Sequence, residues 1–490
     1  MSEGTPNSVS GEAVLTEQRT GITRGQWLVL AAAFLGWMFD GVEIGLFPLA
    51  SRPALQELLK DIGDADVGWW NGIVVACFLL GAAMGGLVFG WLGDRIGRVR
   101  AMVISILVYS LFTGAGAFAG KAWHLGIFRF LASLGMGGEW AVAVALVVEC
   151  WPERHRPKLA GAIGAAANFG FLFIGVFAYC FPVMSAGAGQ ETAAAGVAGY
   201  FAWILANPWR RLMLVGAIPA VLALAVSLMV PESERWKAAA KTAKKLPIAE
   251  IFAPALWKKT VLAIMFSSIP LIGTWASVSG WIPNWVEQKM QAKLVEQDLP
   301  ATALTSVAPS GLGEALKEAK KSLSAGQWVE IETAAARSKA GIQIVLAIGA
   351  ILACFVAPVI GGIWGRRPVY FLLCLLSLIS CACLFRWMDP FDTWFGPMTF
   401  VVGGVTAAFY GWLPLYLPEL FPTRVRATGQ GLSFNFGRIL AAVGAIQMGN
   451  LVKVLGGNYA SAGATITLIY VLGLALIWLA PETKGKPLPE

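Results

Sequence analysis

Apolar residues in this chain gather in runs of about twenty, the length of a bilayer-crossing helix, separated by short clusters of charge. In lipid such a run must be helical, because a helix satisfies its own backbone hydrogen bonds. The pattern predicts twelve spans, Trp27–Ala50, Gly68–Leu92, Met102–Ala119, Leu125–Val148, Leu159–Pro182, Leu212–Val230, Thr260–Val286, Ala340–Ile363, Val369–Phe385, Trp394–Leu417, Gly429–Leu451 and Ala462–Ala480. An even count returns both ends to one side. The expected fold is an all-α membrane protein of two six-helix bundles.

Composition agrees, since 57% hydrophobic and 13% charged residues exclude an ordinary soluble chain. The net charge of +8 does not point to nucleic acid, because the basic residues sit at span ends rather than in one patch. Short loops on the side of the termini hold 21 Lys and Arg against 7 on the other side, which places both termini in the cytoplasm of a plasma or bacterial inner membrane. The expected organisation is a tail 1–26, a bundle 27–230, a central loop 231–259, a second bundle 260–480 with an outer insertion 287–339, and a tail 481–490. The insertion reads as a small helical cap. The central loop reads as a basic amphipathic segment on the membrane surface or, by composition alone, a tether.

The two halves repeat each other. Glu149-Cys-Trp-Pro-Glu-Arg-His-Arg156 returns as Glu419-Leu-Phe-Pro-Thr-Arg-Val-Arg426, Gly97-Arg98 as Gly365-Arg366, Asn168-Phe-Gly170 as Asn435-Phe-Gly437, and Pro231-Glu-Ser as Pro481-Glu-Thr. Parallel repeats of this kind are related by an axis along the membrane normal. The loop Gly90-Trp-Leu-Gly-Asp94-Arg95-Ile-Gly97-Arg98-Val-Arg100 lies between spans two and three on the cytoplasmic side. With Glu149, Arg156, Glu419 and Arg426 it forms an expected cytoplasmic gate, and it is expected to be asymmetric because the second copy has Gly362 where the first has Asp94.

Candidate chemistry comes from charge inside the spans, namely Asp40, Glu43, Arg129, Glu139 and Arg438. Each costs ~2.5–3.5 kcal/mol at the bilayer centre, so they must pair or face a wet passage. Counting from the start of span one puts Asp40 level with Arg129, with Glu43 on the same helix face, so a proton-coupling set of Asp40, Glu43 and Arg129 is expected. The alternative is a structural Asp40–Arg129 bridge. Arg438 suits capture of a carboxylate, and its alternative is a bridge to Glu139. Asn435, Glu139, Arg129, Trp281 and Tyr410 complete the candidate substrate set.

Twelve spans in two repeats, G-x-L-x-D-R-x-G-R-x-R after span two, an Arg followed by Gly-x-Gly in span four, and E-x-x-P-x-x-x-R resemble the major facilitator superfamily. Asp40-Gly-Val-Glu43 is similar to a motif of aromatic-acid:proton symporters, and Gly135-Met-Gly-Gly-Glu139-Trp140 to one of sialate and metabolite:proton symporters. That resemblance implies proton coupling by acids of span one against the Arg of span four, and anion binding by an Arg in span eleven. The expected activity is proton-coupled symport of a small organic anion by alternating access, carried out by a monomer whose partners are substrate, protons and lipid. No cofactor or metal is expected, because His124, His155 and the seven cysteines lack ligand spacing, and no motif suggests an enzyme. A sugar transporter and a non-transporting membrane sensor are the competing readings.

Overall fold

The computed structural model describes residues 22–59, 64–181, 203–242, 248–298, 316, 319–320, 322–454 and 459–489. Most of the expected N-terminal tail, the loop 182–202 and the middle of the outer insertion lie outside them. The first half contains α1 (Arg24–Leu58), α2 (Asp64–Ile96), α3 (Arg98–Ala115), α4 (Ala122–Cys150), α5 (Arg156–Cys180), α6 (Pro208–Val215) and α7 (Pro219–Met229). A linking helix, α8 (Glu234–Thr242), follows. The second half contains α9 (Trp257–Pro270), a π-helical segment Leu271–Ser279, α10 (Ile282–Asp298), α11 (Ala325–Trp364), α12 (Arg366–Trp387), α13 (Phe395–Tyr416), α14 (Arg426–Val454), α15 (Tyr459–Ile466) and α16 (Ile469–Leu476).

Nine helices among the described residues are long and apolar enough to cross a membrane. The other three crossings depart from that form for local reasons. The sixth is broken between α6 and α7 ahead of Pro219, and the seventh changes to π geometry after Pro270. The eleventh, α14, carries Gln430, Ser433, Asn435 and Arg438 on buried positions. The least lipid-like helix is thus one that faces the other half.

The halves meet along two seams, α2 against α14 and α5 against α11, which the repeat relates to each other. Both described chain ends gather at one end of the bundle, called here the terminal face. Gln26 Nε2 donates to Cys150 O and Trp151 Nε1 to Gln26 O, while Pro489 O accepts from Arg426 Nη2, whose neighbouring Nη1 binds Glu149. At the opposite end α10 and α11 run on past the bundle as a helical pair, closed by Val295, Leu316, Ala319 and Ile331 and tied down by Lys339–Glu287 at 2.8 Å and Lys289–Asp389 at 2.9 Å. The central loop is not free on its described residues. Trp236 Nε1 donates to Asp94 O, and Glu250 pairs with Arg424 at 2.7 Å, so it is pinned to both halves.

Candidate functional site: a two-level set of buried charges

Asp40 and Glu43 stand three residues apart on α1, with Gly36 one turn earlier on the same face. Because α4 runs antiparallel to α1, its residues meet that face at two levels. Nearer the terminal face, Glu139 lies over Gly36, where any side chain would overlap the carboxyl group, and there it faces Asp40. Among the described residues, neither carboxyl has a hydrogen-bond partner other than the facing carboxyl. Further out, Arg129 forms an ion pair with Glu43, and Thr113 of α3 donates to Glu43 at 3.3 Å. Asp40, Glu43, Arg129, Glu139 and Arg438 are all at most 6% exposed.

The pairing corrects one expectation, because Arg129 meets Glu43 rather than Asp40. Helix α1 starts before the predicted span and continues to Leu58, well past Ala50, which puts Asp40 near the helix middle and brings Glu43 level with Arg129. Arg438 also departs from its alternative, since it forms no salt bridge with Glu139 or any other described residue. Its Nη1 is buried without a hydrogen-bond partner among the described residues. Phe78 lies 4.5 Å from the Arg129 guanidinium and 5.8 Å from that of Arg438, and Phe47 is 4.0 Å from Arg129. Ring faces thus stand beside both cations and offset part of their desolvation.

Aromatic rings wall the seam at this level. Trp140 and Phe434 stack at 3.8 Å and 14°, Trp37 stands 6.0 Å from Phe434, and Tyr410 approaches Phe434 at 6.3 Å. Trp140 enters the sequence reading only as the end of the Gly135–Trp140 motif, and Trp37 and Phe434 do not enter it, although Trp37 precedes Asp40 by three residues and Phe434 precedes Arg438 by four. Trp281 is not part of this wall. It packs with Ile282, Trp285, Phe385 and Phe395 in another cluster of the second half. Asn435 uses Nδ2 to bind Gly137 O across the seam at 2.8 Å and Gly431 O at 3.0 Å, leaving Oδ1 unpartnered.

The terminal face is closed by ions. Glu149 accepts from Arg98 of its own half at 3.0 Å and from Arg426 of the other half at 3.0 Å. Arg98 Nη2 also donates to Thr423 O at 2.8 Å, and Arg156 stands 3.9 Å from Glu419. The backbone N–H groups of Ala427 and Thr428, at the start of α14, donate to Asp94 at 3.2 and 2.8 Å. These N–H groups lack helical partners, and the carboxylate meets the positive end of the helix dipole. Gly90 lets the two backbones touch there, since a side chain would strike Ala427 O and Thr428 Cα. Arg95 is not in this clamp: it is exposed and lies over Trp91 at 5.0 Å, because the chain turns at Gly97 (φ 109°) and directs Arg98 inward.

Two helical halves closed over a buried, incompletely paired charge set define a multi-pass membrane transporter of small molecules. The chain belongs to the Major Facilitator Superfamily, whose model it matches over residues 27–316, and residues 331–490 match Sugar (and other) transporter. It is 27% identical to an inner membrane metabolite transport protein of Escherichia coli K12, over 94% of this chain and 92% of that one. It is 24% identical to a cis,cis-muconate transport protein of Acinetobacter baylyi, over 90% and 91%. Its twelve-helix fold is that of the proton:xylose symporter XylE solved with 6-bromo-6-deoxy-D-glucose, at a TM-score of 0.61 and 18% identity, covering 95% of this chain and 98% of that one.

Proposed function

We propose that this transporter carries a small carboxylate-bearing metabolite together with a proton, by alternating access, with the terminal face in the cytoplasm. The excess of basic residues in the short loops of that face supports the orientation. The observation that carries the substrate class is the buried, unpartnered Nη1 of Arg438 at an aromatic-walled seam. A buried guanidinium without an anion is costly, and a carboxylate satisfies it with two parallel hydrogen bonds. The muconate carrier among the relatives is named for a carboxylate, which supports the same reading.

Charge arithmetic gives the coupling. Three acids and two arginines leave the ionised site one charge negative, and two facing carboxylates repel. One proton taken up by the Asp40–Glu139 pair neutralises the set, and a carboxylate bound at Arg438 then enters without meeting two anions. With the halves loaded, the ion clamp at the terminal face exchanges its partners and the cavity turns inward. One chain carries both halves of the passage, so the transporting unit is a monomer.

In proteoliposomes, Asp40→Asn should abolish accumulation driven by an inward proton gradient while leaving substrate counterflow. Retained accumulation would sink the proton assignment. Arg438→Gln should weaken carboxylate uptake by ~10–100-fold, the loss expected for a charged hydrogen-bond partner. The match of residues 331–490 to sugar (and other) transporters keeps a sugar substrate as a second reading. Uptake of a sugar that survives Arg438→Gln would favour it, because a sugar site needs neutral donors and not this charge.

A further inference from the structure

The five charges occupy two compartments. Asp40, Glu139 and Arg438 lie at the seam, sealed by the stacked rings of Trp140 and Phe434 and by Trp37. Glu43 and Arg129 line a cavity of about 10 Å3 inside the first bundle, between α1, α3, α4 and α6, whose walls include Phe47, Phe112, Thr113 and Phe128. That is close to the least volume that takes one water, and the two ions supply polar partners for it.

A polar face of α3 connects the compartments. Tyr109, Ser110 and Thr113 are spaced to share one side of the helix and are at most 3% exposed. Thr113, level with the cavity, donates to Glu43 at 3.3 Å. One turn nearer the terminal face, the hydroxyls of Ser110 and Tyr109 are buried within reach of each other and have no further partner among the described residues. Tyr109 lies within electrostatic reach of Asp40, Glu43 and Glu139 together. Buried hydroxyls are normally fully satisfied, and two with no partner beyond each other, in a row beside an acid pair, call for an explanation. The charged groups that act on Tyr109 are Asp40 and Glu43 on α1 and Glu139 on α4; Arg129 pairs with Glu43, and Arg438 of α14 acts on Asp40.

We propose that the proton reaches the Asp40–Glu139 pair through the first bundle, from the Glu43–Arg129 cavity along Thr113, Ser110 and Tyr109, while the anion uses the seam between the halves. The inference rests on the proton-coupled reading above. A proton driven in by the gradient arrives at the cavity water as hydronium, which hands it to the hydroxyl chain and is left as water. The Tyr109 O–H passes its own proton to the carboxylate and takes one from the Ser110 side, so each hydroxyl ends unchanged and one carboxyl ends neutral. Tyr109 serves as a positioning residue that acts through the acid pair.

The test compares two transport modes of purified full-length protein in proteoliposomes, for the double variant Tyr109→Phe/Ser110→Ala and separately for Thr113→Val. Initial gradient-driven uptake should fall at least ~10-fold, whereas counterflow at acid pH on both sides, with the pair already protonated, should stay within ~2-fold of the parent. A purely structural role would lower both modes alike, and that result in both variants overturns the route, as does undiminished gradient-driven uptake. If the parent protein itself ignores the gradient, the proton-coupled reading fails, which is a different outcome from failure of the route.

Discussion

The two halves build the same ionic knot at the terminal face, and they differ in how far it reaches. In the first half, Gly97 turns the chain, Glu232 accepts from the N–H groups of Arg98 and Val99 at 3.1 and 3.0 Å, and Arg98 binds Gly93 O and Glu149, which Ser233 also contacts at 2.7 Å. In the second half, Gly365 (φ 104°), Glu482, Arg366, Gly361 O, Glu419 and Thr483 repeat every one of those contacts. Only the first knot holds the opposite half tightly, through Asp94, through Arg98 to Thr423 O, and through Arg426 to Glu149. Across the other seam, Gly362 packs against Pro157 and Arg156 approaches Glu419 no closer than 3.9 Å. Each knot therefore stabilises its own bundle, and the α2–α14 seam alone is a strong latch between bundles.

The largest test of that asymmetry compares Glu149→Gln with Glu419→Gln. Glu149 is fully buried at its carboxyl and holds two arginines from different halves, so neutralising it leaves buried charge unpaired, at a cost of about 3–5 kcal/mol. Glu149→Gln should lower the melting temperature and widen spin-label distances across the terminal face. Glu419→Gln should lower the melting temperature with little change in those distances, since its close partner, Arg366, belongs to its own half. Equal widening in both variants would break the comparison.

The clamp was legible in the sequence because lipid forces polar groups to the ends of apolar runs, and the repeated E-x-x-P-x-x-x-R marks both knots. The buried site was only partly legible. Its five charges were visible as interruptions of apolar runs, but their partners depend on helix depth, which residue counting fixes only to about one turn. That error exchanged Asp40 for Glu43 as the partner of Arg129. The facing of Asp40 and Glu139 depends on the bare surface of Gly36, a contact between distant segments that no local pattern encodes. Tyr109, Ser110 and Thr113 went unread inside the apolar run Met102–Ala119, although their helical spacing was a usable signal.

A smaller effect follows from the chemistry of the helix that each loop faces. Ala427 offers Asp94 a free N–H, whereas Pro157, at the corresponding place in α5, has none to offer to Gly362. Asp94→Asn should cost about 1–2 kcal/mol of capping and dipole energy and so shift the gate ~5–30-fold toward opening, read by the same spin-label distances. Gly362→Asp alone should shift the balance less, because only Lys158, in the place of Thr428, has an N–H to offer. Gly362→Asp with Pro157→Ala should create a second latch and hold the terminal face closed, and if the double variant opens instead, capping is not what distinguishes the seams.

The smallest effect concerns the tail that ties the second knot. Burial opposes ionisation of Glu482, but the N–H groups of Arg366, Lys484, Arg367 and Thr483 outweigh it and hold the carboxyl below its usual range. A carboxyl depressed on folding stabilises the folded state fully above its unfolded value of about 4.3, and that contribution drains away as pH falls through the lower folded value. The melting temperature should therefore decline on acidification below about pH 4.3 more steeply in the parent than in Glu482→Gln. Because Glu482 ties α12 only within its own half, spin-label distances across the terminal face should not follow that decline. If they widen with it, the second knot also holds the halves together, and the assignment of latch strength to the α2–α14 seam fails.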